Sequence, residues 1–215
     1  MDNVLSVPNP PLIGLTGLCC AGKNYVASFL EEAGLAVLDL DLVGHRVLDR
    51  EKEAIVREFG AAVVRADGSV DRKALGAVVF AVPEKLRRLE ALVHPAVDRV
   101  TADWLNEHKG RICVLNAALL HKSAFFRHLR CLIIVKASFI TRLIRAKRRD
   151  NLPFSVLLKR FKSQEHFAAQ DMPQNADIHF IINERFFGLH FKATQLNGQI
   201  QDILSKIKDR NKFYG

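Results

Sequence analysis

The chain has 215 residues, 49% of them apolar and 26% charged, which describes a globular protein with room for a sizeable core and excludes a disordered or fibrous one. Lys and Arg outnumber Asp and Glu by 32 to 23, a formal net charge of +9 that favours anionic partners without choosing among nucleotides, nucleic acid and acidic lipid. No apolar run approaches the roughly 18 residues of a membrane span, and Asp2 stands where an export signal would carry basic residues, so a soluble cytoplasmic protein is expected.

In chain order, the run 12–16 (Leu-Ile-Gly-Leu-Thr) suits a buried strand, and 22–33 carries Val26, Phe29 and Leu30 at helical spacing. Gly34 falls where a helix ends, and 36–40 is a second strand. Residues 45–109 carry no strand signal beyond 61–64. Pro83 opens a helix with Leu86, Leu89 and Val93 on one face, closed by His94-Pro95. Further strands are expected at 112–115, 131–135 and 180–182. A very basic helical segment spans 139–172, and an amphipathic helix runs from 189 to about 207. Strands alternating with helices predict a parallel sheet covered on both faces. Cysteines 19, 20, 113 and 131 show no C-x-x-C or zinc spacing and read as reduced thiols.

The turn after the first strand carries the main chemical signal. Residues 17–24 (Gly-Leu-Cys-Cys-Ala-Gly-Lys-Asn) fit G-x-x-x-x-G-K, with Asn24 in place of the usual Ser or Thr. Such a loop aims successive N–H groups and a helix dipole at phosphate oxygens. Lys23 reaches the β/γ-phosphates, and Asn24 offers a carbonyl oxygen as a candidate Mg²⁺ ligand where a hydroxyl usually serves. An ordinary Gly-rich turn is the competing reading. Asp39 and Asp41, at the carboxyl end of the second strand and on opposite faces of it, suit a general base or a metal-water ligand, or else a helix cap. Arg142, Arg145 and Arg149 share a helix face suited to a polyphosphate, although a solvated basic face or a nucleic-acid patch has the same pattern. His94 alone reads more readily as a structural residue than as a chemical one.

Order and spacing connect these pieces. Leu15-Thr16-Gly17 to Lys23, 37–41 (Val-Leu-Asp-Leu-Asp), Phe59-Gly60, 67–72 (Asp-Gly-Ser-Val-Asp-Arg), Val79-Phe80, 92–95 (Leu-Val-His-Pro), Leu119-Leu120, Arg145, Arg149-Asp150, Ala176-Asp177 and Asn183 together resemble the dephospho-CoA kinase family, from about residue 12 to 183. The resemblance implies an α/β, P-loop kinase-type three-layer fold with a parallel five-stranded sheet. It divides one domain, 11–210, into a core (11–44, 110–138 and 173–210), a helical acceptor-binding insertion (45–109) and a basic helical lid (139–172). It also implies phosphorylation of the ribose 3′-hydroxyl of dephospho-CoA with ATP and Mg²⁺. No membrane partner is expected, and a basic nucleic-acid-binding protein is the rival reading, disfavoured by only two Tyr and one Trp and by the lack of a nucleic-acid motif.

By motif matching, the ATP site takes Gly17, Leu18, Cys19, Cys20, Ala21, Gly22, Lys23, Asn24 and Tyr25, with Arg145 and with Asn183 ahead of the stretch lying by the adenine. The acceptor site takes Asp39, Asp41, Arg72 and His94. Lys23, Asp41 as base, Arg145 and Arg149 form the catalytic set, and Asn24 is the metal candidate. The chain departs from the family pattern at Leu18, Cys19, Cys20 and Asn24. It departs again at 118–122 (Ala-Leu-Leu-His-Lys), where a cation replaces a Glu, and at Lys136, where an Asp commonly ends the fourth strand. Those departures leave two alternatives, a weak or inactive CoA- or nucleotide-binding relative and a kinase for another small acceptor.

Overall fold

A computed structural model describes residues 11–162, 173, 176–184 and 193–211, without the side chains of 159, 160, 162, 193–195 and 208–211. Along the chain run β1 (Leu12–Gly17), α1 (Lys23–Glu32), β2 (Ala36–Asp39), α2 (Leu40–Arg50), α3 (Lys52–Phe59), α4 (Arg72–Phe80) and α5 (Pro83–Glu107). They are followed by β3 (Cys113–Asn116), β4 (Cys131–Lys136), α6 (Phe139–Asp150), α7 (Phe154–Lys162), β5 (Asp177–Ile182) and α8 (Ala193–Asn211). Parts of the expected lid (163–172) and of the closing segments (174–175 and 185–192) lie outside the described residues. The chain divides into two compact units, one of residues 1–38 with 107–215 and one of residues 39–106.

In the first unit the described strands form one sheet in the order β2-β3-β1-β4-β5, with β1 parallel to both β3 and β4, and β4 parallel to β5, as predicted. β1 sits at its centre, and Leu12, Ile13 and Leu15 are each fully buried, so a short unbroken apolar run is what both faces of that strand require. Ile13, Leu15, Ile133 and Val135 pack against Val26 and Leu30 of α1 and Leu196, Ile200 and Leu204 of α8. α1 ends as its sequence predicts. Leu35 donates to the Leu30 carbonyl and Gly34 to the Glu31 carbonyl while Gly34 holds φ at +88°, a left-handed close that glycine enters without penalty.

α6 starts at Ser138, whose Oγ accepts the Thr141 N–H. It ends at Asn151, left-handed at φ +48°, with Pro153 two residues on. Ala146 of α6 packs on Leu157 and Phe161 of α7, and Cys19 and Cys20 lie against that cluster. Arg142 departs from its expected role. Instead of sharing an exposed basic face it is buried, with its guanidinium 4.8 Å from the Phe161 ring centre.

The unit of residues 39–106 has its own core of Ile55, Val63, Val70, Leu75 and Val79. Three expectations change within it. The predicted strand at 61–64 is a 3-10 turn over Ala61–Val63, and a single bridge joins Val64 to Val70. The helix expected to close at Pro95 runs on to Glu107. Proline removes one N–H from the ladder, but Thr101, Ala102 and Leu105 are buried beyond it and hold the second half in place. Asp39 and Asp41 do not alternate across a strand, because the strand stops at Asp39 and Asp41 belongs to the first turn of α2.

Packing sets the mutational ledger. Ile133→Ala, in the central layer, should cost about 2–5 kcal/mol in urea denaturation. Ile178→Ala on β5, 38% exposed, should stay below about 1 kcal/mol. Equal losses at the two positions would contradict this placement of the core.

Candidate active site

The turn between β1 and α1 forms the centre of the site. Ala21 donates to the Leu18 carbonyl at 2.9 Å, and Gly22 stands at the helix N-cap with φ +96° and ψ 33°. Only glycine fits there, since a Cβ would also run into the Asn183 side-chain amide. No side chain caps α1, and the Tyr25 N–H returns to the Gly22 carbonyl at 3.1 Å; a helix start without a side-chain cap behind a fixed loop is of the kind that receives phosphate oxygens. Cys20 is also left-handed, at φ +62°, a conformation uncommon outside glycine.

Two side chains from elsewhere in the unit hold this loop. Arg145 Nη1 donates to the carbonyls of Cys20 (3.3 Å) and Ala21 (2.9 Å), while its Nη2 donates to the Asn183 backbone oxygen (3.0 Å) and Oδ1 (3.2 Å). Asn183, itself buried, donates from Nδ2 to the same Ala21 carbonyl at 2.9 Å. One guanidinium thus joins the loop, α6 and the end of β5. Beside it Glu184 accepts from the Ser138 N–H, from Ser138 Oγ at 2.9 Å and from Thr141 Oγ1 at 2.8 Å. Partial burial raises the Glu184 pKa, yet the bonds from Thr141 and Ser138 outweigh it and hold the carboxyl below its ordinary value.

At the other end of the loop Lys23 Nζ donates to Asn24 Oδ1 at 3.1 Å, and Asn116 Nδ2, from the end of β3, donates to the same oxygen at 3.1 Å. Asn116 is 1% exposed, and its Oδ1 has no hydrogen-bond partner among the described residues. Arg149 pairs with Asp150 at 2.7 Å, and its Nη2 lies 4.0 Å from Cys19 Sγ. Cys20 Sγ is 3.7 Å from Cys19 Sγ, and burial, with Cys19 adding to it, pushes the Cys20 thiol up to about 11. Tyr25 is exposed and meets Phe29 edge to face. Lys136 Nζ sits 3.6 Å from the Phe180 ring centre.

The structure therefore gathers the predicted loop residues, Arg145, Arg149 and Asn183 in one unit. The predicted acceptor residues belong to the other. There Asp39 Oδ1 accepts from the N–H groups of Asp41 (3.0 Å) and Leu42 (3.1 Å), the capping role that competed with chemistry in the sequence. Arg72 opens α4 behind its cap Asp71, and His94 lies in the middle of α5. Asn116 and Glu184 were not anticipated. The one available signal for Asn116 was a polar residue ending an apolar strand, and Glu184 had none beyond its neighbour.

Residues 11–184 match the family model for dephospho-CoA kinase. The chain belongs to the dephospho-CoA kinase family. A dephospho-CoA kinase of Treponema denticola is 33% identical over 190 residues, 83% of this chain and 85% of that protein. A crystal structure of a Thermus thermophilus protein superposes with a TM-score of 0.75 at 29% identity, covering 92% of this chain and 97% of that one. A dephospho-CoA kinase from Campylobacter jejuni, at 21% identity and a TM-score of 0.60 over 93% and 98%, shares the fold. Family membership thus holds across the departures at Asn24, Lys122 and Lys136.

The Glu184 contacts give a pH signature. A carboxyl depressed by folding stabilises the protein above its unfolded pKa, about 4.3, and that contribution is lost as pH falls through the lower folded value. Glu184→Gln should lower Tm at pH 7, and the gap to wild type should close in acid. A gap equally wide at pH 3 would remove the charge from the explanation.

Proposed function

We propose that this protein transfers the γ-phosphoryl group of ATP to the ribose 3′-hydroxyl of dephospho-CoA, giving coenzyme A and ADP, in the cytoplasm. The carrying observation is a family match over residues 11–184, a range that takes in the loop, the 39–106 unit, α6, Asn183 and Glu184. The uncapped, glycine-hinged start of α1 supports the nucleotide half of the reading.

In this reaction the 3′-oxygen forms a bond to the γ-phosphorus while the bond to the β,γ-bridging oxygen breaks and ADP departs. The proton of the hydroxyl goes to a carboxylate, for which we assign Asp41, because Asp39 spends its Oδ1 on the α2 cap. Lys23 neutralises the β/γ-phosphates from the first residue of α1. Arg149, whose side chain is 54% exposed on α6, is the arginine we assign to charge on the transferred group. Arg145 serves by holding the loop. Arg72 and His94 are assigned to the acceptor on the family motif. Mg²⁺ carried by the nucleotide would offset phosphate charge, and a neutral amide oxygen, the donor type of both Asn24 and Asn116, is one that a hard cation accepts where it is not already engaged. No helix among the described residues is long and apolar enough to cross a membrane.

A binding-only relative is the second reading, favoured by the engagement of Asn24 Oδ1 with Lys23 and Asn116. Coupled ADP release separates the two. Turnover should require dephospho-CoA and fall by about 10²–10³ in Lys23→Ala, in line with the loss of one preorganised donor. Nucleotide binding with no acceptor-dependent turnover would leave the binding-only relative standing.

A further inference from the structure

The loop departs from its usual form at one chemically decisive position, Asn24, and a second asparagine is hydrogen-bonded to it. We propose that the magnesium-facing oxygen of this site is Asn116 Oδ1, and that Asn24 acts as a positioning residue held between Lys23 and Asn116. The inference rests on the nucleotide-binding half of the function proposed above.

A carbonyl oxygen offers two lone pairs. On Asn24 Oδ1 both are directed at donors, Lys23 Nζ at 3.1 Å and Asn116 Nδ2 at 3.1 Å. One of those donors is an ammonium, so a divalent cation arriving at the same oxygen would meet a like charge at hydrogen-bond distance. Asn24 therefore makes a poor cation ligand in this arrangement and a good tether for the loop lysine.

Asn116 is the complement. An ammonium can only donate, which obliges Asn24 to present its oxygen to Lys23 and obliges Asn116 to present its NH₂ to Asn24. The orientation of the Asn116 amide follows without ambiguity, and its Oδ1 is left buried and unpartnered. A buried amide oxygen without a donor is costly, and such an atom beside a phosphate loop calls for a ligand. Its place is suitable. Asn116 is the last residue of β3 and stands in register with Leu15 of β1, two residues before Gly17, at the carboxyl end of the sheet where ligands of open α/β folds bind. Mg²⁺ accepts neutral oxygens and retains several waters, so Oδ1 can serve it directly or through one of them.

The pair is also matched. An aspartate at 116 could not donate to Asn24 Oδ1, and a hydroxyl residue at 24 would offer Lys23 a shorter arm. The two asparagines form one unit that divides the work, one amide for the lysine and one for the metal.

Calorimetric titration with ADP, with and without MgCl₂, tests this on the intact protein. Measured against its own metal-free ADP affinity, Asn116→Ala should lose about tenfold of the affinity that Mg²⁺ adds. Asn24→Ala should weaken metal-free ADP binding, through Lys23, and keep most of the Mg²⁺-dependent gain. Asn116→Asp retains the side-chain shape and an oxygen, so it keeps the test open if the alanine variant does not fold, and its Mg²⁺-dependent gain should equal or exceed that of wild type. An undiminished gain in Asn116→Ala, a gain lost in Asn116→Asp, or a gain abolished only in Asn24→Ala overturns the assignment. Wild-type protein that binds ADP with no Mg²⁺-dependent gain overturns it alone, whereas wild-type protein that binds no ADP in either condition overturns the proposed function with it.

Discussion

The guanidinium of Arg145 is the contact on which the site depends. A phosphate-binding turn must keep its N–H groups pointed at a ligand, which leaves its carbonyls facing the other way and in need of donors. Arg145 supplies two of them to Cys20 and Ala21, and Asn183 supplies a second donor to Ala21. Those bonds satisfy the carbonyls of a turn that includes a left-handed cysteine and a left-handed glycine. An arginine fits this task better than a lysine, since its planar fork reaches the loop with one nitrogen and Asn183 with the other.

The clamp works because its own supports are fixed. Asn183 and Glu184 follow β5 directly, and both are tied to α6, the first through Arg145 and the second through Ser138 and Thr141 at the helix start. Below α6 lie Leu157 and Phe161 of α7, and the thiols of Cys19 and Cys20 pack there as small apolar groups. That packing gives the two unusual loop cysteines a structural reason. It also explains why Arg142, on the same helix as Arg145 and Arg149, is not available to phosphate, since its turn of α6 faces the Phe161 ring.

Much of this was legible from residue patterns. The buried β1 run, the amphipathic α1 closed by Gly34, and the G-x-x-x-x-G-K turn are local signals, and the structure places them as read. β5 was underestimated because it opens on the polar residues Asp177 and His179 and only Ile181 within it is buried, so just its last three residues read as an apolar run. Pro95 misled because proline is a local breaker, while the burial that carries α5 beyond it is tertiary. Asp39 was ambiguous in principle, since the end of a strand and the cap of the next helix are the same residue when no loop separates them. Asn116 offered only its place at the end of an apolar strand, and Glu184 only its neighbour. Their partners lie 92 and 46 residues away in sequence, and neither sits in a motif.

If the Arg145 clamp is what gives the loop its shape, it should be measurable in the loop itself. Hydrogen exchange of the backbone amides of residues 18–23, compared between wild type and Arg145→Lys alongside ADP affinity, tests that most directly. Lysine retains the charge but not the fork, so the loop amides should exchange at least about tenfold faster and ADP should bind about tenfold more weakly, roughly one lost charged hydrogen bond. Unchanged exchange with unchanged ADP affinity in a folded Arg145→Lys protein would contradict the account.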